Sequence, residues 1–168
     1  MHVDSKLNWH VHISMISKKI SRVNYLLWKL KSFVSIDYLR TIYFGLFQCH
    51  IAYGLIIWGH STNVMDILLL QKKAIRNMLG AEPLEPCRPL FKKLKILTVV
   101  NLYIYQVLMY TKTNINLFTI RQDIHDHNTK GKFDINIPQH RLSKTHISCK
   151  LNFIKFFNNL PYGARQLF

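Results

Sequence analysis

From Trp9 to Val34 the apolar residues Ile13, Ile16, Ile20, Val23, Leu27, Leu30 and Val34 recur by alternating steps of three and four. That period places them on one face of a helix, so the chain opens with a long amphipathic element that has to bury one side. At about 100° per residue, Lys18, Arg22, Tyr25 and Lys29 fall on the opposite side. Lys19 and Lys31 flank the stripe, where long aliphatic stems can cover its rim.

The rest of the chain reads as helices set against this one. Ser35 can cap a second helix, with Asp37 in its first turn where a negative charge suits the helix dipole. Tyr38 to Trp58 is apolar on nearly every side and reads as the central buried helix, ended by Gly59. Ser61 or Thr62 can cap a third, with Val64, Ile67, Leu68, Ala74, Ile75 and Met78 facing inward and Gly80 as its stop. Gln71 lands inside that apolar stripe, and a buried amide there needs partners, expected on the backbone of a neighbouring loop. Residues 80–87 form a Pro-punctuated loop, followed by a short basic helix over Pro89–Lys95. Thr98 can cap a helix running from Val99 to about Lys112. Beyond Thr113 the periodicity fades, leaving a polar stretch with one short strand expected at Phe133–Ile137 and a last helix from about Leu151 to Leu160, stopped by Pro161. The expectation is an all-α chain. A small helical bundle of three to four main helices over residues 1–112 precedes an irregular basic C-terminal extension, 113–168, with one short helix.

Composition narrows the partners. With 49% apolar and 12% aromatic residues, the chain is too hydrophobic for a disordered basic tail. A net charge of +15 and a pI near 9.9 point to a polyanion, nucleic acid first and anionic membrane second. The charge is spread, +9 over the first hundred residues and +6 over the remainder. Three widely spaced cysteines exclude a disulfide framework and suggest a reducing, intracellular setting, nuclear or cytoplasmic. The N-terminus has no apolar run after its charges, so no signal peptide is read there. Thr41–Trp58 is uncharged, but it is barely long enough to span a bilayer, carries Gln48 and His50 near its middle, and has basic residues beyond both ends. A buried core helix is the better reading, and no stable membrane partner is expected.

The residues offer no reaction chemistry. Two-metal phosphoryl transfer needs clustered carboxylates, and the six Asp and two Glu are scattered without an Asp-x-Asp or Asp-Asp pair. Asp123 and Asp126, beside His125 and His127, lack the paired spacing of a structural zinc site and read as a solvated loop. Cys49, Cys87 and Cys149 have no Cys-x-x-Cys partner, and Cys49 reads as a core residue. There is no Gly-rich phosphate loop and no Gly-x-Ser-x-Gly elbow. No catalytic residue, metal ligand or cofactor is therefore assigned, and the chain is not read as an enzyme.

What remains is polyanion binding. Lys18, Arg22 and Lys29 lie within about 40° of one another and span roughly 16 Å of helix axis, the reach of two or three phosphates. Tyr25 sits among them and Trp28 to one side, so a ring can stack on a sugar or base. A second basic tract comprises Lys72, Lys73, Arg76, Arg88, Lys92, Lys93 and Lys95. The alternative for both sets is a solvated surface around an apolar core.

Several segments, in order, resemble the reverse transcriptases of non-LTR (LINE-type, jockey-like) retrotransposons. DSKLNWHVHI resembles that family's Asp-x-x-Leu-x-Trp-x-x-His-Ile signature through Asp4, Leu7, Trp9, His12 and Ile13. YLLWKLKSFV, YFGLFQCHIAYGLIIWG, LQKKAIRNMLG and CRPLFKKLKIL follow the same pattern, and FNNLP, Phe157 to Pro161, matches its usual close. The chain departs from it at Asn128-Thr129-Lys130, where the family commonly has Arg in third place; a point charge does not reproduce a bidentate guanidinium contact. The resemblance covers nearly the whole chain but only the end of the polymerase, downstream of the palm. The Tyr-x-Asp-Asp motif is absent, so Mg²⁺ is implied only for an intact polymerase, and Met1 looks like the start of a truncated copy. The resemblance implies a thumb-like, catalytically silent fragment. It would hold RNA or an RNA/DNA hybrid through Lys18, Lys19, Arg22, Tyr25, Lys29, Lys72, Lys73, Arg76, Lys92 and Lys93, with the palm and fingers of the parent polymerase as its missing partners. The alternatives are a stand-alone basic helical nucleic-acid-binding module and, behind it, a membrane-associated protein.

Overall fold

The amphipathic stripe forms α1, His10–Leu30, in the computed structural model of the chain, which describes residues 1–5, 8–124, 131–139, 141 and 148–165. Ile13, Ile16, Ile20 and Leu27 are buried as the period requires, and α1 packs chiefly against α5, Val64–Leu79, through Ile67, Ala74, Ile75 and Met78. Each such isoleucine, leucine or methionine removed from water contributes about 1.5–3 kcal/mol before chain entropy is counted. The stripe also holds two polar residues that the apolar pattern passes over, His12 and Asn24. Asn24 Nδ2 donates to Leu70 O at 3.0 Å, and Asn77 Nδ2 to Asn24 O at 3.4 Å, so polar contacts cross the same seam.

The expected central helix is broken. Its residues form α2 (Ile36–Ile42), a π-helical stretch (Tyr43–Gln48), α3 (Cys49–Ala52) and α4 (Leu55–Trp58). The buried residues explain the π stretch: Leu39, Tyr43, Phe47, Ile51 and Leu55 recur by four and are at most 2% exposed. In a regular α-helix each step of four runs ahead by about 40°. Wider turns, with hydrogen bonds five residues apart, turn the line back toward one face. Gly54 then adopts φ +63°, a left-handed conformation that ends α3 and starts α4 in a new direction. Consequently Tyr38, Phe44, Leu46, Tyr53 and Ile57 are exposed, and this segment is amphipathic rather than buried all round.

Residues 1–112 thus do not form the expected bundle of three to four main helices. The chain is all-α, but its described residues carry nine α-helical segments, several of only four residues, because the π stretch and Gly54 divide the expected central helix, while Gly59 and the 80–86 turn fall at expected boundaries. Gly80, at φ +65°, ends α5 as expected. The α5 N-cap is Asn63 rather than Ser61 or Thr62. The short basic helix is α6, Cys87–Leu94, and α7 runs Val99–Thr113 with Thr98 Oγ1 accepting from Asn101 N at 3.2 Å.

The chain divides into two compact units, Met1–Tyr103 and Ile104–Phe168, the division falling inside α7. In the second unit, Ile135, Leu151, Ile154 and Phe157 form a small core flanked by Ile115, Phe118 and Leu160. The strand expected at Phe133–Ile137 is reduced to a single antiparallel bridge between Ile120 and Ile135. Ile135 finds its other partner in a side chain: Asn158 Oδ1 accepts from its N–H and Asn158 Nδ2 donates to its carbonyl, both at 2.9 Å. Asn158 lies on α8, Cys149–Asn158, which Ser148 caps. Pro161 and the one-turn α9, Tyr162–Arg165, follow. Arg165 bonds the carbonyls of Asn158 and Leu160 and pairs with Asp134, so the FNNLP segment is held by a guanidinium four residues beyond it.

Candidate nucleic-acid interface

Helix α1 contains four cations and no carboxylate in 21 residues. Its packing on α5 turns Lys18, Arg22, Tyr25 and Lys29 outward, all exposed, as the period requires. Tyr25 is 62% exposed and Trp28 46%, with ring centroids 6.0 Å apart. The Lys29 ammonium lies 5.3 Å from the Trp28 ring centroid and 5.8 Å from that of Tyr25. These three residues form one exposed aromatic–cationic group. A ring presented edge by edge with an ammonium suits a base or sugar next to a phosphate. Lys19 is exposed but belongs elsewhere, on a small cavity of about 180 Å³ with Met1, His2, His12, His50 and Tyr53.

His12 forms one wall of that cavity. It is buried, in edge contact with Trp9 at 6.0 Å and Trp58 at 5.9 Å. Burial lowers its pKa, reinforced by the N-terminal ammonium, His2 and Lys19. The Trp9-x-x-His12 spacing therefore serves packing in this fold. Asn8, just before α1, donates through its backbone N and its Nδ2 to the two carboxylate oxygens of Asp4, at 2.7 and 3.1 Å. Leu7 lies outside the described residues.

The second basic tract separates into two groups. Leu68, Lys72 and Arg76 recur by four along α5, and Arg88 and Lys92 do so on α6; together with Lys95 they border a groove of about 930 Å³. Lys73 and Lys93 follow Lys72 and Lys92 by one residue, a turn of about 100°, and do not line it; both are exposed. Arg76 is committed to the fold, its Nε and Nη2 donating to Glu85 O at 3.2 and 2.9 Å. At the other end Gln71 behaves as its buried position requires. Its Nε2 donates to Leu97 O at 2.9 Å and to the Tyr43 hydroxyl at 2.7 Å, and its Oε1 accepts from Val99 N at 2.8 Å. Burial raises the Tyr43 pKa, the Gln71 bond opposing it weakly. Both chain segments that frame the groove are thus pinned to α5. Its apolar lining, with Leu84, Phe91, Ile96 and Leu97, is carried by residues that the charge pattern does not single out.

Cys49, expected in the core, is exposed, because the buried line passes through Phe47 and Ile51. Among the described residues no group of His, Cys, Asp and Glu is placed to hold a metal ion. His125, Asp126 and His127, and the Asn128-Thr129-Lys130 triplet, lie outside the described residues. Among the described residues no single helix is long and apolar enough to cross a membrane; α6 and α7 taken together pass that test of length and composition, bent by 51°. The chain matches no family model, no curated protein and no solved structure.

Proposed function

We propose that this chain is a nucleic-acid-binding portion of a LINE-type reverse transcriptase, holding the backbone of an RNA/DNA hybrid through α1 and lacking the polymerase's catalytic carboxylates. The observation that carries the reading is the outward face of α1: Lys18, Arg22 and Lys29 exposed, two exposed rings beside them, and no acidic residue on the helix. Such contacts reach phosphate and sugar and are indifferent to sequence. The fragment reading is supported by large apolar side chains left in water, including Phe33 at 82% and Tyr38 at 69% exposure, as expected of a domain that has lost a docking partner.

The test is fluorescence anisotropy with a labelled RNA/DNA hybrid and the triple variant Lys18→Glu, Arg22→Glu, Lys29→Glu. All three side chains are exposed, so the variant should melt with the parent protein and bind at least tenfold more weakly. Unchanged hybrid affinity in the folded variant would remove α1 from the interface.

A further inference from the structure

The groove between α5 and α6 points to a second ligand class. We propose that it docks a short acidic peptide with apolar anchors, a protein partner distinct from the nucleic acid assigned to α1.

Three observations carry this. The rim is cationic: Lys72, Arg88, Lys92 and Lys95 stand around the groove against one carboxylate, Glu85, and no ion pair engages any of the four among the described residues. The exposed apolar lining is aliphatic rather than aromatic. Leu84 is 94% and Leu97 45% exposed, while the single ring, Phe91, is 7% exposed and offers no face for a base to stack on. A nucleic acid would meet its charges there but not its stacking platform, whereas leucine-like anchors between carboxylates would meet both features. The volume, about 930 Å³, is near the top of the usual range of roughly 300–1,000 Å³ for ligand sites.

Lys95 supplies the third observation. It ends α6 at φ +52°, the only non-glycine residue with positive φ among those described. Glycine is the usual residue for this helix-ending conformation, and a side chain there is strained by about 1–2 kcal/mol. Keeping a lysine at a position suited to glycine retains a cation on the groove's rim at the expense of stability, and such backbone outliers concentrate at ligand sites.

The probe is a fluorescein-labelled peptide of about ten residues alternating Glu or Asp with Leu, read by anisotropy against the full chain. It should bind. Arg88→Glu with Lys92→Glu should weaken it at least tenfold, Leu84→Ser with Leu97→Ser severalfold, and the α1 triple variant should leave it unchanged. Lys95→Gly separates function from fold: it should raise the melting temperature yet weaken the peptide. Three results would each overturn the proposal: no binding; equal binding of a control peptide with Ser for every Leu, which reduces the site to bulk charge; or tighter binding of an oligouridine that displaces the peptide, which makes the groove a nucleic-acid site.

Discussion

Gln71 shows how one residue can join distant parts of a fold. Its amide bonds the Tyr43 hydroxyl, Leu97 O and Val99 N, linking α5 to the π stretch and to the α6–α7 connection. A Gln71→Leu variant keeps the apolar stem but leaves the buried Tyr43 hydroxyl and Val99 N–H, and the part-buried Leu97 carbonyl, without the amide. The expected loss is about 3 kcal/mol in urea denaturation; a loss below about 1 kcal/mol would mean that water replaces the amide. His12 gives a pH dependence. Its pKa in the folded chain is lowered from 6.5, mainly by burial, so the unfolded chain binds the proton more readily. Stability from this group is fully present above pH 6.5 and is lost as pH falls from there through the folded pKa. His60, lowered by burial with a weaker opposing hydrogen bond that its ring donates to the Ile57 backbone, acts in the same direction. The urea midpoint should therefore fall on acidification from pH 7.5 to 5, less steeply in His12→Gln; equal slopes would show that His12 does not contribute.

Elements in this chain are ended by close contacts as much as by propensity. Gly59, buried at the end of α4, has an ordinary φ of −66°, yet an added Cβ would stand 2.4 Å from a Tyr103 ring carbon and 2.7 Å from Leu55 O. The backbone oxygen cannot swing aside as a side chain can. Gly59→Ala should therefore cost about 2 kcal/mol, read as a lower melting temperature. In the second unit, Asn158 takes the place of a neighbouring strand for Ile135. Asn158→Ala should cost about 2 kcal/mol there, seen as roughly thirtyfold faster hydrogen exchange of the Ile135 amide. Unchanged exchange would show that the side chain does not hold it. These contacts also show what sequence periodicity can reach. The α1 stripe, the Gly80 stop, the Thr98 cap and the bonding of Gln71 follow from spacing and chemistry within a few residues. The π stretch is legible only in the recurrence by four from Leu39 to Leu55, which the apolar residues around it mask. The Gly59–Tyr103 contact and the Asn158–Arg165–Asp134 arrangement reach across the chain, and no local pattern announces them. The groove lies between these cases: its cations recur by four on each helix, but only the 80–86 turn, held by Arg76, brings the two rows together.

Across the whole molecule a high positive charge is combined with many exposed apolar side chains. Phe33 and Tyr38 contribute little to the core at their exposures of 82% and 69%. Phe33→Ser with Tyr38→Ser should change stability by no more than about 0.5 kcal/mol while raising the concentration at which the protein stays monodisperse. A large loss of stability would show that these side chains pack within the chain rather than await a partner. The central claim is that α1 binds a nucleic-acid backbone, and counterion release measures it most directly. Each neutralised phosphate contributes about −0.9 to the log–log slope of affinity against salt on a duplex. The decisive measurement is a salt titration of binding to an RNA/DNA hybrid by the parent chain and by the variant reversed at Lys18, Arg22 and Lys29. If α1 neutralises three phosphates, the slope in the variant is flatter by about 2.7, with the fold intact. Parallel slopes, or no hybrid binding by a folded, monodisperse parent protein, would contradict it.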